Sequence, residues 1–389
     1  MPKTIAITPS WYWPEGVARV AGIPPFGVHE LCVERVARDR PTEPAIITGD
    51  DRLDGTRLLE EVRRTGAALA ALAGDSRRAV LASDTTLDGV LIVLGALAAG
   101  VHLRLVDPGS DVGAAAQAFG ADLVLEDASK LDVSGAPELR DRVQDERALR
   151  EPAITITAPG GAVNHSHRSL LAGAIGMATF LEARPGRPWL TMLPLWRWDG
   201  LASVLTPLYL GAPLVLPAPG AEAFAEAIVR EQVGYACHDL EAAAEITREA
   251  KKPVRDARGV LDAFLLSTSG LFDPGQRQRV GRSFESPALT VFGLPETGAI
   301  FASHQSWYLD ESVGIPISNA HVVPADPRNG TPIQALWELV ESAEVTVRGP
   351  ALMCGYEGAE HPERFVDGRF RTGVVASSDA NGMIYILPD

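Results

Sequence analysis

The chain has 389 residues, 46% of them hydrophobic and 22% charged, enough apolar material for two or three packed cores and too much for a disordered polymer. A formal net charge of −15 with no basic stripe argues against a nucleic-acid partner, whose phosphates need clustered Lys and Arg. No apolar run reaches membrane-spanning length, residues 1–22 lack the apolar core of a signal peptide, and three scattered cysteines (Cys32, Cys237, Cys354) make neither a disulfide framework nor a paired-cysteine zinc site. A reducing cytoplasm is the expected setting. In chain order, residues 79–82 read as a strand. Ser83-Asp84-Thr85-Thr86 then opens a helix that runs to about Gly100. Residues 101–106 alternate toward the turn Asp107-Pro108-Gly109, which completes a parallel βαβ unit, and 121–125 adds a strand to the same sheet. The pattern repeats with a strand at 190–193, a helix at about 200–210 and a strand at 213–216. After about Gly298 the texture changes to short β-prone pieces such as 335–340 and 344–347. The predicted fold is therefore α/β: two lobes of layered, mostly parallel sheets, 1–180 and 181–300, followed by a small β-barrel-like subdomain, 301–389.

Six segments follow one another in a meaningful order. They are Ala96-Leu97-Ala98-Ala99-Gly100-Val101 leading to Val106-Asp107-Pro108; Leu193-Pro194-Leu195-Trp196-Arg197-Trp198-Asp199-Gly200-Leu201; Phe292-Gly293-Leu294-Pro295-Glu296; Ser312-Val313-Gly314-Ile315-Pro316; Arg348-Gly349-Pro350 with Gly355-Tyr356; and Phe370-Arg371-Thr372-Gly373. From Val33 to the last residue this order resembles the large N-terminal domain of the adenylate-forming superfamily of acyl-CoA synthetases, adenylation domains and luciferases. The second and third segments are similar to that family's Pro-Leu-Phe-His-x-x-Gly-Leu and Tyr-Gly-x-Thr-Glu motifs. The resemblance implies ATP or AMP with magnesium, or a CoA or carrier-protein thioester, as ligand, and a small-molecule carboxylate or acyl thioester as partner.

Against the same pattern, several residues of the ATP chemistry are missing. The family's Ser/Thr/Gly-rich phosphate loop carries a Lys. The corresponding stretch here, from Thr157 through Gly160 and Gly161, is shortened and has Gly or Ala at the Lys position. Val374 follows Thr372-Gly373 where the family places the Asp that holds the ribose hydroxyls, and Val has no acceptor. After Asp379-Ala380-Asn381-Gly382 the family begins a hinge and lid, so a lid and its catalytic Lys are expected to be absent. The resemblance assigns Glu296 to magnesium, Thr157, Gly160, Gly161, Glu296 and Thr297 to a nucleotide if one binds, and Trp196, Arg197, His238, Ser269, Gly270, Phe292 and Gly293 to the substrate pocket. His238 and Glu296 are the catalytic candidates.

Blander readings stand beside each of these. Glu296 is equally a helix-capping or solvent-facing carboxylate, and Arg197 is as readily satisfied by Asp199 as by an acidic ligand. Trp196 and Trp198 are core or pocket aromatics. A nucleophilic pair of Cys237 or Ser267 or Ser269 with His238 is the weaker option, because adjacent residues usually point apart. His165 and His167 are a remote metal possibility. Four functions follow: a divergent member that binds an acyl, aryl or amino-acid-like carboxylate or its thioester, with weak or no self-contained adenylation; an active acyl-CoA or acyl-carrier ligase completed by a separate lid-like protein; a non-catalytic subunit of a biosynthetic complex, with an acyl carrier protein as a further partner; and a repurposed transferase or hydrolase acting on an already activated acyl group through Cys237, His238, Ser267 or Ser269.

Overall fold

A computed structural model describes residues 12–136, 139, 146–333 and 341–388. The first sheet has six strands in the order Gly355–Tyr356, Gly161–Ser166, Pro152–Ala158, His102–Val106, Arg78–Ala82, Leu123–Leu125. Its central strands are parallel, and helix Leu87–Ala99 connects Arg78–Ala82 to His102–Val106 as the βαβ pattern requires. That helix starts where Thr86 accepts a hydrogen bond from the Gly89 amide at 3.1 Å. It stops at Gly100, whose φ of +65° is the left-handed cap conformation that glycine takes without strain. Eleven of its thirteen residues are buried, so it is a core helix and not a surface one.

The second sheet has nine strands, ordered Ile315–Pro316, Gly298–Ala302, Ala288–Leu294, Ala263–Thr268, Tyr235–Asp239, Trp189–Thr191, Leu214–Leu216, Pro44–Thr48, Asp51–Asp54. Helices His167–Phe180 and Trp198–Leu210 pack against each other between the two sheets, and one continuous apolar cluster joins residues of both lobes there. Helices Ala221–Arg230, Leu240–Glu249 and Pro274–Phe284 cover the other face of the second sheet, around Phe224, Phe264 and Phe284. Strands His321–Ala325, Ala343–Arg348, Arg369–Ser378, Phe365–Val366 and Ile384–Ile386 form a third, antiparallel sheet over its own apolar cluster.

The sheets cross the segments expected from the sequence. Strands Pro44–Thr48 and Asp51–Asp54, within 1–180, belong to the second lobe's sheet, where Ile46 pairs with Leu214. Conversely, Gly355–Tyr356 closes the edge of the first sheet by pairing with 163–164. The expected strand at 344–347 is found as Ala343–Arg348, and the one at 335–340 lies outside the described residues.

Candidate functional site

Ligands of open α/β sheets sit beyond the carboxyl ends of the parallel strands. Here a cleft of about 1180 Å³ lies at that place in the second sheet, bounded by Asp239, by Ser267 to Phe272, by Leu294 to Glu296, by Thr157 and Gly160, and by Arg364 and Thr372 from the third sheet's side. Five carboxylates line it (Asp239, Glu241, Glu245, Asp273, Glu296) against two guanidiniums, Arg197 and Arg364. Glu241 and Glu245 stand four apart on helix Leu240–Glu249, which puts both on one face.

The hairpin at 152–166, where the resemblance predicts a phosphate loop, is paired from Ile154 to its turn. Strands Pro152–Ala158 and Gly161–Ser166 match Thr157 with Ala162 and Ala158 with Gly161, leaving only Pro159 and Gly160 as the turn. Proline has no amide hydrogen, so this turn offers one backbone donor where an anion cradle needs several converging ones. Thr157 and Gly160 line the cleft; Gly161 is taken into the hairpin.

Glu296 is 3% exposed, and its Oε1 accepts a hydrogen bond from the Tyr356 hydroxyl at 3.0 Å. Burial, and then the neighbouring Glu296 charge, push the Tyr356 phenol up to about 12, so it stays a proton donor. The Arg364 guanidinium stands 3.8 Å from the same oxygen. The main chain here is pinned too: His165 Nε2 lies 2.7 Å from the Pro295 carbonyl, and the Met353 amide donates to the Glu296 carbonyl at 2.8 Å. Thr297 spends its hydroxyl on the Gly298 carbonyl at 2.9 Å and does not line the cleft.

Arg197 donates to both carboxylate oxygens of Asp199, from Nε at 3.0 Å and Nη2 at 2.5 Å, and its Nη2 also lies 2.8 Å from Asp239 Oδ1. Asp199 is 4% exposed and further accepts from the Ser267 hydroxyl and the Gly200 amide. The guanidinium that the sequence offered to an acidic ligand is thus held by two acids of the protein itself. That is the local pairing allowed for from the adjacent Asp199, extended by Asp239.

Other expected site residues are elsewhere. His238 turns to the opposite sheet face from Cys237: its ring packs on Phe224 at 5.4 Å, its Nδ1 accepts from the Asp239 amide, and burial holds its imidazole below the ordinary range. It does not line the cleft, whereas its neighbour Asp239 does. Cys237 is buried in the other direction, and burial pushes its thiol far up, so the pair has neither the geometry nor the thiolate of a nucleophile. Trp196 packs against the main core while Trp198 faces the cleft. Phe292 is fully buried, and Gly293 allows close packing, since a Cβ there would stand 2.3 Å from the Gly298 carbonyl oxygen and 2.8 Å from the Trp198 ring. Ser269 and Gly270 do line the cleft. Val374 is half-buried against the third sheet's cluster. His165 meets Ser169 and Pro295, while His167 accepts from the Val28 amide, so the two rings have separate structural partners. Sequence reasoning missed Arg364, Tyr356 as a partner of Glu296, and the pairing of Asp239 with Arg197. Only the acidic i,i+4 pair at Glu241 and Glu245 had a readable local signal.

A sheet-end cleft overlapping a β-rich subdomain, on two α/β lobes sharing a helical layer, is the large-domain architecture of adenylate-forming enzymes. A family model described as AMP-binding enzyme matches residues 159–357, just over half of the chain, and the chain belongs to that family. It is 24% identical over 397 residues to the 2-succinylbenzoate–CoA ligase of Bacillus licheniformis, a match covering 92% of this chain and 79% of that one. The solved o-succinylbenzoate CoA synthetase of Bacillus subtilis, a double mutant bound with its product analogue OSB-NCoA, superposes with a TM-score of 0.80 at 20% identity, covering 92% of this chain and 78% of that one. The same enzyme in complex with ATP and a magnesium ion gives a TM-score of 0.78 at 19% identity, covering 92% and 79%. No helix among the described residues is long and apolar enough to cross a membrane.

The nucleotide and magnesium implied by the family fit these residues poorly. The two-residue turn supplies one amide where a triphosphate needs a cradle, and a divalent cation approaching Glu296 Oε1 meets the positive charge of Arg364.

Proposed function

We propose that this chain is an acyl-CoA ligase-like protein that binds an acyl or aryl group in its cleft, preferentially as its thioester, with weak or no self-contained ATP-dependent adenylation. The observation that carries the reading is the closed hairpin at 157–162. Adenylation concentrates charge on the phosphates as the carboxylate attacks, and stabilising that charge requires preorganised donors. A Pro-Gly turn cannot supply them. The thioester is favoured over the free acid because Arg197, the guanidinium a carboxylate would need as counter-charge, is already paired with Asp199 and Asp239.

The test is to incubate the purified chain with magnesium, ATP and a panel of aliphatic and aromatic acids while following pyrophosphate release and hydroxamate trapping. The matching CoA thioesters are titrated calorimetrically in parallel. Acid-dependent pyrophosphate release is expected to stay at background while at least one thioester gives saturable heat. Robust release by the chain alone would overturn the reading, and release that appears only on adding a relative's lid domain would transfer it to the completed-ligase alternative.

A further inference from the structure

Of the two arginines lining the cleft among the described residues, Arg197 is fully engaged and Arg364 is not. The Arg364 side chain is 34% exposed and its guanidinium carbon lies 5.1 Å from the centroid of the Phe370 ring. Its distance of 3.8 Å to Glu296 Oε1 is beyond hydrogen-bond reach, and its Nε is buried with no hydrogen-bond partner. The Pro159-Gly160 turn abuts the same end of the cleft: a Cβ on Gly160 would lie 3.7 Å from the Tyr356 hydroxyl oxygen and 3.9 Å from Glu296 Oε1. Arg364, Glu296, Tyr356 and Gly160 therefore gather at one end of the cleft.

We propose that Arg364 is a phosphate-binding residue, and that its guanidinium takes the place of a divalent cation, so that this end of the cleft captures a phosphate group without metal. A guanidinium suits the task because its donors form a planar fork matched to phosphate oxygens. Glu296, held by Tyr356, orients the fork through charge and limits affinity by repelling the ligand. The phosphate comes either from a nucleotide or from the phosphates of coenzyme A. Phosphate capture here does not depend on which acyl group the cleft takes, and it survives even if ATP is turned over.

The experiment is calorimetric titration of the purified chain with AMP, coenzyme A and pyrophosphate, each in EDTA and again in magnesium. At least one of the three is expected to bind in EDTA, with no gain on adding magnesium. AMP binding identifies a nucleotide phosphate, coenzyme A binding the coenzyme's phosphates, and pyrophosphate binding alone a free anion. Arg364→Met should weaken the bound ligand about ten-fold or more, the loss of one charge-assisted contact. Arg364→Lys should recover part of it, and Glu296→Gln should tighten it. Thermal melts of each variant separate loss of binding from loss of fold, and Arg364→Gln serves if the Met variant melts early. No binding of any of the three in EDTA, unchanged affinity in a folded Arg364 variant, or binding that needs magnesium and vanishes in Glu296→Gln would each overturn the proposal.

Discussion

Asp199 illustrates how much one buried carboxylate can organise. It receives both arms of Arg197, the Ser267 hydroxyl and the Gly200 amide, and so ties the start of helix Trp198–Leu210 to the end of strand Ala263–Thr268. Removing one partner of such a pair leaves the other without compensation in a low-dielectric site. Asp199→Asn and Arg197→Met are each expected to lower stability by about 3 kcal/mol, read as a shift of the urea midpoint at unchanged slope. Arg197→Met should leave the affinity for acyl thioesters within about two-fold, because its guanidinium serves Asp199 and Asp239; a loss approaching the ten-fold of a charge-assisted contact would show that it touches ligand. The adjacency of Arg197 and Asp199 made their pairing readable in advance. The part played by Asp239 was not, because it arrives from a strand forty residues away in sequence.

At the scale of elements, the loops that meet the cleft are shaped by close backbone approach. Gly200, in the first turn of helix Trp198–Leu210, lies directly over the chain at Pro194: a Cβ on it would lie 1.9 Å from the Pro194 carbonyl oxygen. Gly200→Ala should therefore cost about 3 kcal/mol or more, since backbone and not a flexible side chain must yield. Equilibrium unfolding checks this, and a near-neutral result would show that the helix start can shift. The hairpin makes a different kind of prediction. Restoring the family's acid with Val374→Asp should leave ATP-dependent pyrophosphate release at background, because the Pro159-Gly160 turn still offers no phosphate cradle. A clear rise in release would mean that the ribose contact alone was limiting. The helices and strands of the βαβ units were legible from apolar period and turn residues. Apart from the ten-residue Arg369–Ser378, the third-sheet strands are pieces of two to six residues and were legible only in kind, because such pieces take their partners from tertiary pairing.

Across the whole molecule, the segment 355–357 fastens the third region to the first lobe through a buried polar chain. His102 Nε2 lies 2.7 Å from Thr155 Oγ1, the Thr155 hydroxyl donates to Asn164 Oδ1 at 2.5 Å, the Asn164 amide donates to Glu357 at 2.9 Å, and Arg78 donates to Glu357 at 3.0 Å. Burial brings the His102 imidazole down from an ordinary 6.5 to about 4. Between those values the unfolded chain takes up a proton that the native state refuses, so stability is complete above about pH 6.5 and declines as the pH falls toward 4. The full loss from this residue is about 3 kcal/mol, and His102→Gln should flatten the unfolding free energy over that window by a similar amount. An unchanged pH profile in the variant would assign the acid sensitivity to other buried histidines, such as His165 and His304, which burial also holds low. By itself the sequence determined the α/β class and the order of the family's segments, because these depend on residue type, local period and spacing. Only the tertiary structure decided that the hairpin closes to a two-residue turn, that Arg197 is consumed by two acids, and that Tyr356 and Arg364 converge on Glu296. Asp239, Tyr356 and Arg364 reach their partners from about forty to seventy positions away, and local spacing carries no information about which distant side chain will arrive.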